Sequence, residues 1–218
     1  MRITRIESQQ KRRDRVNLYA DGEFAVGISK ETLLRAALRV GDELTPDQLH
    51  ALRSEEDVFQ TRAAALRLLA RRPRSERELR DRLREKEHAD ADIARVLADL
   101  RAAGLVNDAA FARTFIRNAL TLRPLGEIQL RQKLLVFGIE RGIVDDAIRE
   151  ELGAVDVDDI ALGLVQKYLA RTAGRGPSDD PQKRRRLASA MLARRGYSWA
   201  VIARVLKKLN LPDDETIE

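Results

Sequence analysis

Apolar and polar residues alternate near the start of the chain. The alternation places an apolar side chain at six positions, Val16, Leu18, Ala20, Phe24, Val26 and Ile28. Asp21-Gly22 separates the two runs and is a typical two-residue hairpin turn, so this segment predicts a β-hairpin. Ile3 to Glu7 is a candidate third strand.

Two helices are predicted after the hairpin, from Ser29 to Leu38 and from Thr45 to Arg53. The second has a favourable start, because Thr45 is a good N-cap, Pro46 suits the first helical position and Gln48 completes a capping box. An isolated hairpin is marginally stable in water, so we expect it to pack against these helices.

From Asp57 onward the apolar residues recur at intervals of three and four, which predicts a series of short helices. Pro73 interrupts one of them because proline lacks a backbone donor. Ser75 to Glu78 is a capping box that opens the next helix, and Asp108 is the predicted cap of the helix that carries Phe111.

This helical pattern occurs three times. Arg72-Pro73 recurs as Arg123-Pro124, and the same offset of 51 residues aligns Leu79 with Leu130, Leu83 with Leu134, Glu87 with Gly138, Ile93 with Val144, Val96 with Ala147 and Leu97 with Ile148. An offset of 58 residues adds a third copy and aligns Leu134 with Leu192, Gly138 with Gly196, Val144 with Ile202, Ala147 with Val205 and Ile148 with Leu206. The extra residues of the third copy fit a polar insert from Thr172 to Gln182, and Asp180-Pro181 replaces the Arg-Pro pair.

The pattern therefore predicts a mainly α-helical protein built from tandem three-helix repeats that stack into an elongated, curved array. A small module of β-hairpin and helices precedes the repeats. The predicted boundaries are 1–56 for this N-terminal module, 57–107, 108–154 and 155–212 for the three repeats, and 213–218 for a tail.

The composition of the chain excludes some classes of functional site and indicates where the positive charge lies. The chain has no cysteine, which excludes disulfides, thiolate metal sites and cysteine nucleophiles. Its start lacks the apolar core of a signal peptide and no run approaches the length of a membrane span, so we expect a cytoplasmic protein. The net charge of +6 is concentrated in two segments, 61–118 with 14 basic and 9 acidic residues, and 156–218 with 12 and 9.

No active site, cofactor site or metal site is predicted. His50 and His88 have no carboxylate cluster at ligand spacing, so a surface role is favoured for both. Gly174-Arg175-Gly176 lacks the Gly-Lys-Ser/Thr of a phosphate loop and suits a flexible connector. Asp145-Asp146 and Asp158-Asp159 lie at predicted helix starts, where carboxylates interact favourably with the helix dipole.

Basic residues are the remaining candidates for a functional surface. The third repeat contributes Lys183, Arg184, Arg185, Arg186, Arg194, Arg195, Lys207 and Lys208, and the first repeat contributes Arg71, Arg72, Arg74 and Arg77. They form either a solvated face or a patch for DNA phosphates or an acidic protein groove. Arg184 and Arg195 are eleven residues apart and are predicted to share a helix face. Tyr197 and Trp199 nearby are interpreted as core or half-buried residues, and base stacking is the alternative.

A three-helix unit with a tight turn also fits a helix-turn-helix protein that reads duplex DNA. Acidic residues at the start of the third helix disfavour this in the first two copies, which carry Asp90 and Asp92, and Glu140, Asp145 and Asp146. Only the third copy has an acid-free start. A sequence-specific transcription factor is therefore the second hypothesis.

The order and spacing of several motifs resemble the RecX family over nearly the whole chain. The motifs are Arg72 to Leu79, Gly104 to Asp108, Phe111-Ala112, Arg123 to Gly126, Lys133-Leu134, Gly138-Ile139 and Arg194 to Ser198, and Arg15 to Phe24 is similar to the family's variable N-terminal part. The family has no catalytic residues to transfer. Leu79, Leu83, Leu105 and Phe111 are read as core, Gly104 and Gly138 as helix ends, and Pro73 and Pro124 as breakers.

The resemblance implies a non-enzymatic regulator of the recombinase RecA that acts in homologous recombination, DNA repair and the SOS response. Such a protein binds RecA filaments on single-stranded DNA and limits their extension, ATP hydrolysis, strand exchange and coprotease activity. We expect a monomer that binds single-stranded and duplex DNA weakly and without sequence preference.

Overall fold

The computed structural model describes residues 1–172 and 180–211. Its three strands are β1 Ile3–Ser8, β2 Arg15–Ala20 and β3 Glu23–Ser29. Its ten helices are α1 Lys30–Ala36, α2 Pro46–Leu69, α3 Glu76–Arg84, α4 Asp90–Ala102, α5 Asp108–Leu122, α6 Glu127–Val136, α7 Arg141–Gly153, α8 Val157–Thr172, α9 Pro181–Arg194 and α10 Trp199–Lys208. The predicted fold of tandem three-helix repeats with a small N-terminal β element is confirmed.

The N-terminal strands form an antiparallel sheet in the order β1-β2-β3, which confirms both the hairpin and the third strand. Asp21 and Gly22 both have positive φ, as a tight hairpin turn requires. The inward-facing Leu18 and Ile28 are fully buried against Leu49 and Leu52 of α2. The sheet is therefore stabilised by burying one face against a helix.

Phe24 departs from the predicted alternation. A register shift between Leu18 and Tyr19 pairs Leu18 with Val26 but Tyr19 with Phe24. An extra residue in one strand turns the following side chain to the other face of the sheet. Phe24 is consequently 60% exposed, whereas Val26 and Ile28 are buried. Alternation alone had placed all three on one face.

The helix predicted from Thr45 to Arg53 continues without a break to Leu69, so α2 is a single helix of 24 residues. The predicted capping box is present, because the Thr45 hydroxyl accepts from the Gln48 N–H and the Gln48 side chain accepts from the Thr45 N–H. Prediction of two short helices here was wrong, because 53–57 contains charged residues with good helix propensity and no breaker. The predicted module boundary at 56 falls inside α2.

Glu56 connects the middle of α2 to the N-terminal module. Its carboxylate is buried and pairs with Arg15 of β2 at 2.7 Å. It also accepts from the Ser29 N–H and the Thr32 hydroxyl, both at 2.8 Å, and from the Gln60 amide at 2.7 Å. One charged group thus joins the sheet, α1 and the middle of α2.

The chain forms two compact units, one made of residues 1–73 and 79–106, and one made of residues 74–78 with the chain from Asn107 onward. In the first unit, α2, α3 and α4 share a core that includes Leu79, Leu83 and Leu97, as predicted. Leu105 was predicted to belong to this core but is 55% exposed. The adjacent Val106 is buried instead, since the chain turns at Gly104, which has positive φ.

The second unit contains two further three-helix cores, one from α5, α6 and α7 and one from α8, α9 and α10. The positions aligned by the sequence repeat are buried in both cores: Leu130, Leu134, Val144, Ala147, Ile148, Leu192, Ile202, Val205 and Leu206. Phe111 is half-buried and packs at the edge of the first of these cores with Phe115 and Phe137. The internal repeat therefore reflects equivalent packing positions.

The same left-handed turn links the second helix to the third in every repeat. Glu87, Gly138 and Gly196 all have positive φ, at 64°, 78° and 80°. The residue after each one donates its N–H to an equivalent carbonyl, from His88 to Leu83, from Ile139 to Leu134 and from Tyr197 to Leu192. Glycine adopts this backbone conformation without steric cost, but Glu87 has a side chain that disfavours it.

Helix starts differ in detail from the predictions. Asn107, not Asp108, caps α5, and its side chain accepts from the Ala110 N–H. The Asp108 carboxylate accepts instead from the Glu76 N–H, at 2.8 Å. Ser75 caps α3 by accepting from the Glu78 N–H. Pro73 and Pro124 lie between helices, as predicted for breakers.

Some predicted features lie outside the described residues. These are Gly174-Arg175-Gly176, most of the polar insert and the tail from 213 to 218. None of the helices within the described ranges combines the length and apolar character needed to cross a bilayer.

Replacing Glu87 with glycine is expected to stabilise the first repeat. The substitution removes a left-handed strain of about 1–2 kcal/mol but gives the unfolded chain more freedom, so the net gain is about 0.5–1 kcal/mol. Urea unfolding measures the change. The control Lys86→Gly, at a neighbour without positive φ, should instead lower stability, and equal effects of the two changes would contradict the assignment.

Removing the Glu56 carboxylate is expected to be costly. In the Glu56→Ala variant, the Arg15 side chain, which is 14% exposed in the wild type, loses its ion partner, and the Ser29 N–H, the Thr32 hydroxyl and the Gln60 amide lose their acceptor. Breaking a buried pair in this way costs about 3–5 kcal/mol. The exposed neighbour provides the control, because Glu55→Ala should change the free energy of unfolding by less than about 0.5 kcal/mol. Similar losses in both variants would show that the pair is not a main stabilising contact.

Candidate partner-binding surface

The basic run of the third repeat lies at the start of α9. Asp180 caps this helix and Pro181 occupies its first position. Lys183, Arg184 and Arg186 are exposed, whereas Arg185 is half-buried and its guanidinium donates to the Leu211 carbonyl at 3.2 Å. The four consecutive cations therefore do not form one patch, and Arg185 is engaged in packing.

Arg184 and Arg195 were predicted to share a face, but their surroundings differ. Arg184 is exposed, while Arg195 is half-buried and donates to the Pro124 carbonyl at 3.1 Å. The Arg195 carbonyl in turn accepts from the Gly126 N–H at 2.9 Å. Arg195 thus joins the turn after α9 to the start of α6, and a substitution there alters packing as well as charge.

Lys183 and Arg194 lie on the solvent-facing side of α9. They are also eleven residues apart, which is close to three helical turns, and both are exposed. Ala188 and Leu192 are buried on the opposite side. Within the described part of the chain, neither Lys183, Arg186 nor Arg194 pairs with a carboxylate. These three cations form what we call the α9 outer face.

The two lysines at the end of α10 also differ. Lys207 is exposed, but the Lys208 ammonium lies 2.9 Å from Asp159. Sequence reasoning missed Arg204, which makes two hydrogen bonds to Asp158, at 2.6 and 2.9 Å. The hydrogen bond from Arg204 lowers the pKa of the Asp158 carboxyl below its usual value. The acidic pair at the start of α8 is therefore tied to α10.

The candidate cations of the first repeat are divided between the two units. Arg71 and Arg72 belong to the first unit and are exposed, and Arg72 donates to the Pro73 carbonyl at 3.1 Å. Arg74 and Arg77 belong to the second unit. Arg74 is half-buried and pairs with Glu78, and the Arg77 side chain packs beside Gly138. Arg74 is therefore held by a local ion pair, whereas Arg77 is exposed and lies against the turn at Gly138.

The two aromatic residues of the third repeat have opposite environments. Tyr197 is buried, burial raises the pKa of its phenol to about 12, and its hydroxyl has no hydrogen-bond partner in the described part of the protein. Trp199 is 72% exposed at the first position of α10. The core interpretation is correct for Tyr197 and wrong for Trp199, because α10 begins at Trp199 and buries residues of its later turns, Ile202, Val205 and Leu206, instead.

The two histidines lie in different environments. His50 is exposed. His88 is half-buried, and its Nδ1 lies 2.8 Å from the Thr61 hydroxyl. Burial lowers the pKa of the His88 imidazole. His88 thus packs within the first repeat and is less superficial than predicted.

A groove of about 470 Å³ lies beside Arg195 in the second unit. Its lining combines apolar and cationic side chains, among them Leu120, Leu122, Arg123, Ile160, Leu164 and Lys167. Leu122 is 77% exposed there. The lining also includes Asp159, which pairs with Lys208, so the cations Arg123 and Lys167 beside exposed leucine suit an acidic segment of a partner protein.

Comparison with known proteins relates the whole chain to one family. Its four domain models match in sequence order: the regulatory protein RecX N-terminal domain at 1–45, and the first, second and third three-helix domains of RecX at 62–100, 107–148 and 156–206. The regulatory protein RecX of Clostridium beijerinckii is 29% identical over 97% of both chains. That of Clostridioides difficile is 30% identical over 95% of both.

Two solved structures resemble the fold. One, described as the crystal structure of regulatory protein RecX, has a TM-score of 0.72 at 25% identity and covers 95% of this chain and 98% of its own. RecX from Lactobacillus salivarius has a TM-score of 0.64 at 22% identity and covers 72% of this chain and 99% of its own. The core positions, the repeated turn, the four domain matches and the end-to-end relatives agree, and the chain belongs to the RecX family of regulatory proteins.

Proposed function

We propose that this protein regulates the recombinase RecA by binding its filament on single-stranded DNA and inhibiting filament extension, and with it ATP hydrolysis, strand exchange and coprotease activity. The observation that carries the proposal is the end-to-end membership in a family of regulatory proteins. The proposal places the protein in the cytoplasm, in homologous recombination, DNA repair and the SOS response. It requires no catalytic group on this chain.

Two features support a protein partner that carries negative charge. The α9 outer face presents three cations to solvent, and the groove beside Arg195 adds Arg123 and Lys167 next to exposed leucine. Acidic groups on a partner would pair with the cations of the α9 outer face and of the groove, and apolar groups would pack against the exposed leucine. Arg184 and Lys207 are further exposed cations of the third repeat, whereas Arg185, Arg195 and Lys208 contribute by fixing the local structure.

The direct test is sedimentation of the purified protein with RecA filaments assembled on single-stranded DNA. Co-sedimentation with the filament that clearly exceeds co-sedimentation with the same DNA without RecA, at the same salt concentration, supports the proposal. If the protein stays in the supernatant while the filaments pellet, the proposed function is wrong.

Charge reversal on the α9 outer face is expected to weaken filament binding. In the Lys183→Glu/Arg194→Glu variant, like charges would meet an acidic partner, and the affinity should fall about tenfold or more. The loss should be larger at low salt than at high salt, because ions screen exposed charges. Titration of labelled protein onto filaments measures it.

The matched control is Lys133→Glu/Arg141→Glu, which makes the same charge change at exposed positions of α6 and α7. It should retain filament affinity. Thermal unfolding should be unchanged in both variants, since exposed substitutions seldom move stability by more than about 0.5 kcal/mol. Equal loss of affinity in the two variants would show that only net charge matters.

A sequence-specific duplex reader is the alternative function. The start of α10 presents Trp199 and Ala200, which offer at most one hydrogen-bond donor to base edges. Selection from a random duplex library is therefore expected to enrich no motif. Recovery of a site bound about a thousandfold or more tighter than random duplex would favour the transcription factor.

A further inference from the structure

The outward face of the N-terminal sheet carries a row of stacked side chains. The strand register places Arg5 of β1 opposite Tyr19 of β2, and Tyr19 opposite Phe24 of β3. The Arg5 guanidinium carbon lies 3.9 Å from the centroid of the Tyr19 ring. The Tyr19 and Phe24 rings meet edge to face at 6.0 Å. We call this row the aromatic row.

This row is not part of the core. The sheet buries its other face, with Val16, Leu18 and Ile28, against α2. The register shift in β3 turns Phe24 away from that core and leaves it 60% exposed. Register shifts of this kind often re-aim a side chain. The sheet thus presents an aromatic ring to solvent that alternation would have buried.

Cations lie at the end of the sheet opposite the Asp21-Gly22 turn, whereas Asp21 and Glu23 are exposed carboxylates beside Phe24. The connection between β1 and β2 contains Lys11, Arg12 and Arg13, all exposed. Arg12 lies 3.5 Å from Asp14, but Lys11 and Arg13 pair with no carboxylate in the described part of the chain. On the face itself, Arg5 lies 3.9 Å from Glu7, a distance typical of a weak exposed pair.

We propose that this face binds single-stranded nucleic acid, with bases stacked on the aromatic row and phosphates along the Lys11–Arg13 connection. Bases stack on aromatic rings and on guanidinium planes, and flanking cations attract the backbone. Three adjacent strands span about 10 Å, which accommodates about two bases. Duplex DNA keeps its bases stacked inside the helix, so the face selects single strands.

This inference goes beyond the proposed function because it assigns a site on the N-terminal sheet to the weak single-strand binding that the family resemblance implies, and it requires no RecA. It also concerns the first unit, whereas the α9 outer face belongs to the second. An assay with DNA alone can therefore fail without affecting filament binding, and the reverse holds as well.

The test compares two labelled strands of about 12 nucleotides, within the usual site size for such surfaces. One is oligothymidylate, and the other is an abasic strand with the same number of phosphates. Fluorescence anisotropy with the full chain should show about tenfold tighter binding to oligothymidylate. Phe24→Ala should remove most of that preference and leave binding to the abasic strand unchanged.

Further variants separate stacking from charge. Lys11→Glu/Arg13→Glu should weaken binding to both strands and reduce its salt dependence, since phosphate contacts release counterions. Arg67→Glu/Lys86→Glu, at exposed positions of the same unit in α2 and just after α3, is the charge control. Phe24→Trp should restore the preference if stacking causes it. Thermal unfolding checks the fold of each variant.

Equal binding of oligothymidylate and the abasic strand by the wild-type chain overturns the proposal. A folded Phe24→Ala variant that still prefers oligothymidylate also overturns it. Loss of the preference in Trp199→Ala but not in Phe24→Ala would assign base stacking to the third repeat and would also overturn it.

Discussion

A left-handed turn after the second helix of each repeat fixes how that helix meets the third. Only a residue that tolerates positive φ can complete the turn, which explains Gly138 and Gly196 at equivalent positions. At Gly196 the turn has a second role, because its carbonyl accepts from the Ile128 N–H and a Cβ there would lie 2.5 Å from the Gln129 backbone nitrogen. Close backbone contact between the second and third repeats therefore depends on this one residue type.

The sequence patterns predicted the repeats well because equivalent helices pack in the same way in each repeat. Short amphipathic helices must bury one face, so the positions that do so are apolar in every copy. The sequence patterns failed where a local change in the backbone altered which side chains face the core, or where no breaker separated two helices. A register shift exposed Phe24, the turn at Gly104 exposed Leu105, and the absence of a breaker joined two predicted helices into α2.

The sequence predicted which basic residues belong to the candidate surface, but it did not predict which of them are exposed and which pair with other groups. Sequence identified the basic residues of α9, yet it could not distinguish the exposed Lys183 and Arg194 from Arg195, which donates to a carbonyl 71 positions away along the chain. Long-range partners of this kind leave no local signal. Trp199 was wrongly predicted to be core or half-buried, because its exposure depends on the residue at which α10 begins.

The proposed regulation of RecA, which requires no chemistry on this chain, is tested most directly by RecA's own ATPase. The rate of ATP hydrolysis by RecA on single-stranded DNA would be measured while this protein is titrated in. A protein that blocks filament extension acts at growing ends, so the account predicts progressive inhibition at concentrations well below that of RecA. An unchanged rate at equimolar protein, with RecA fully active on its DNA, would contradict the account.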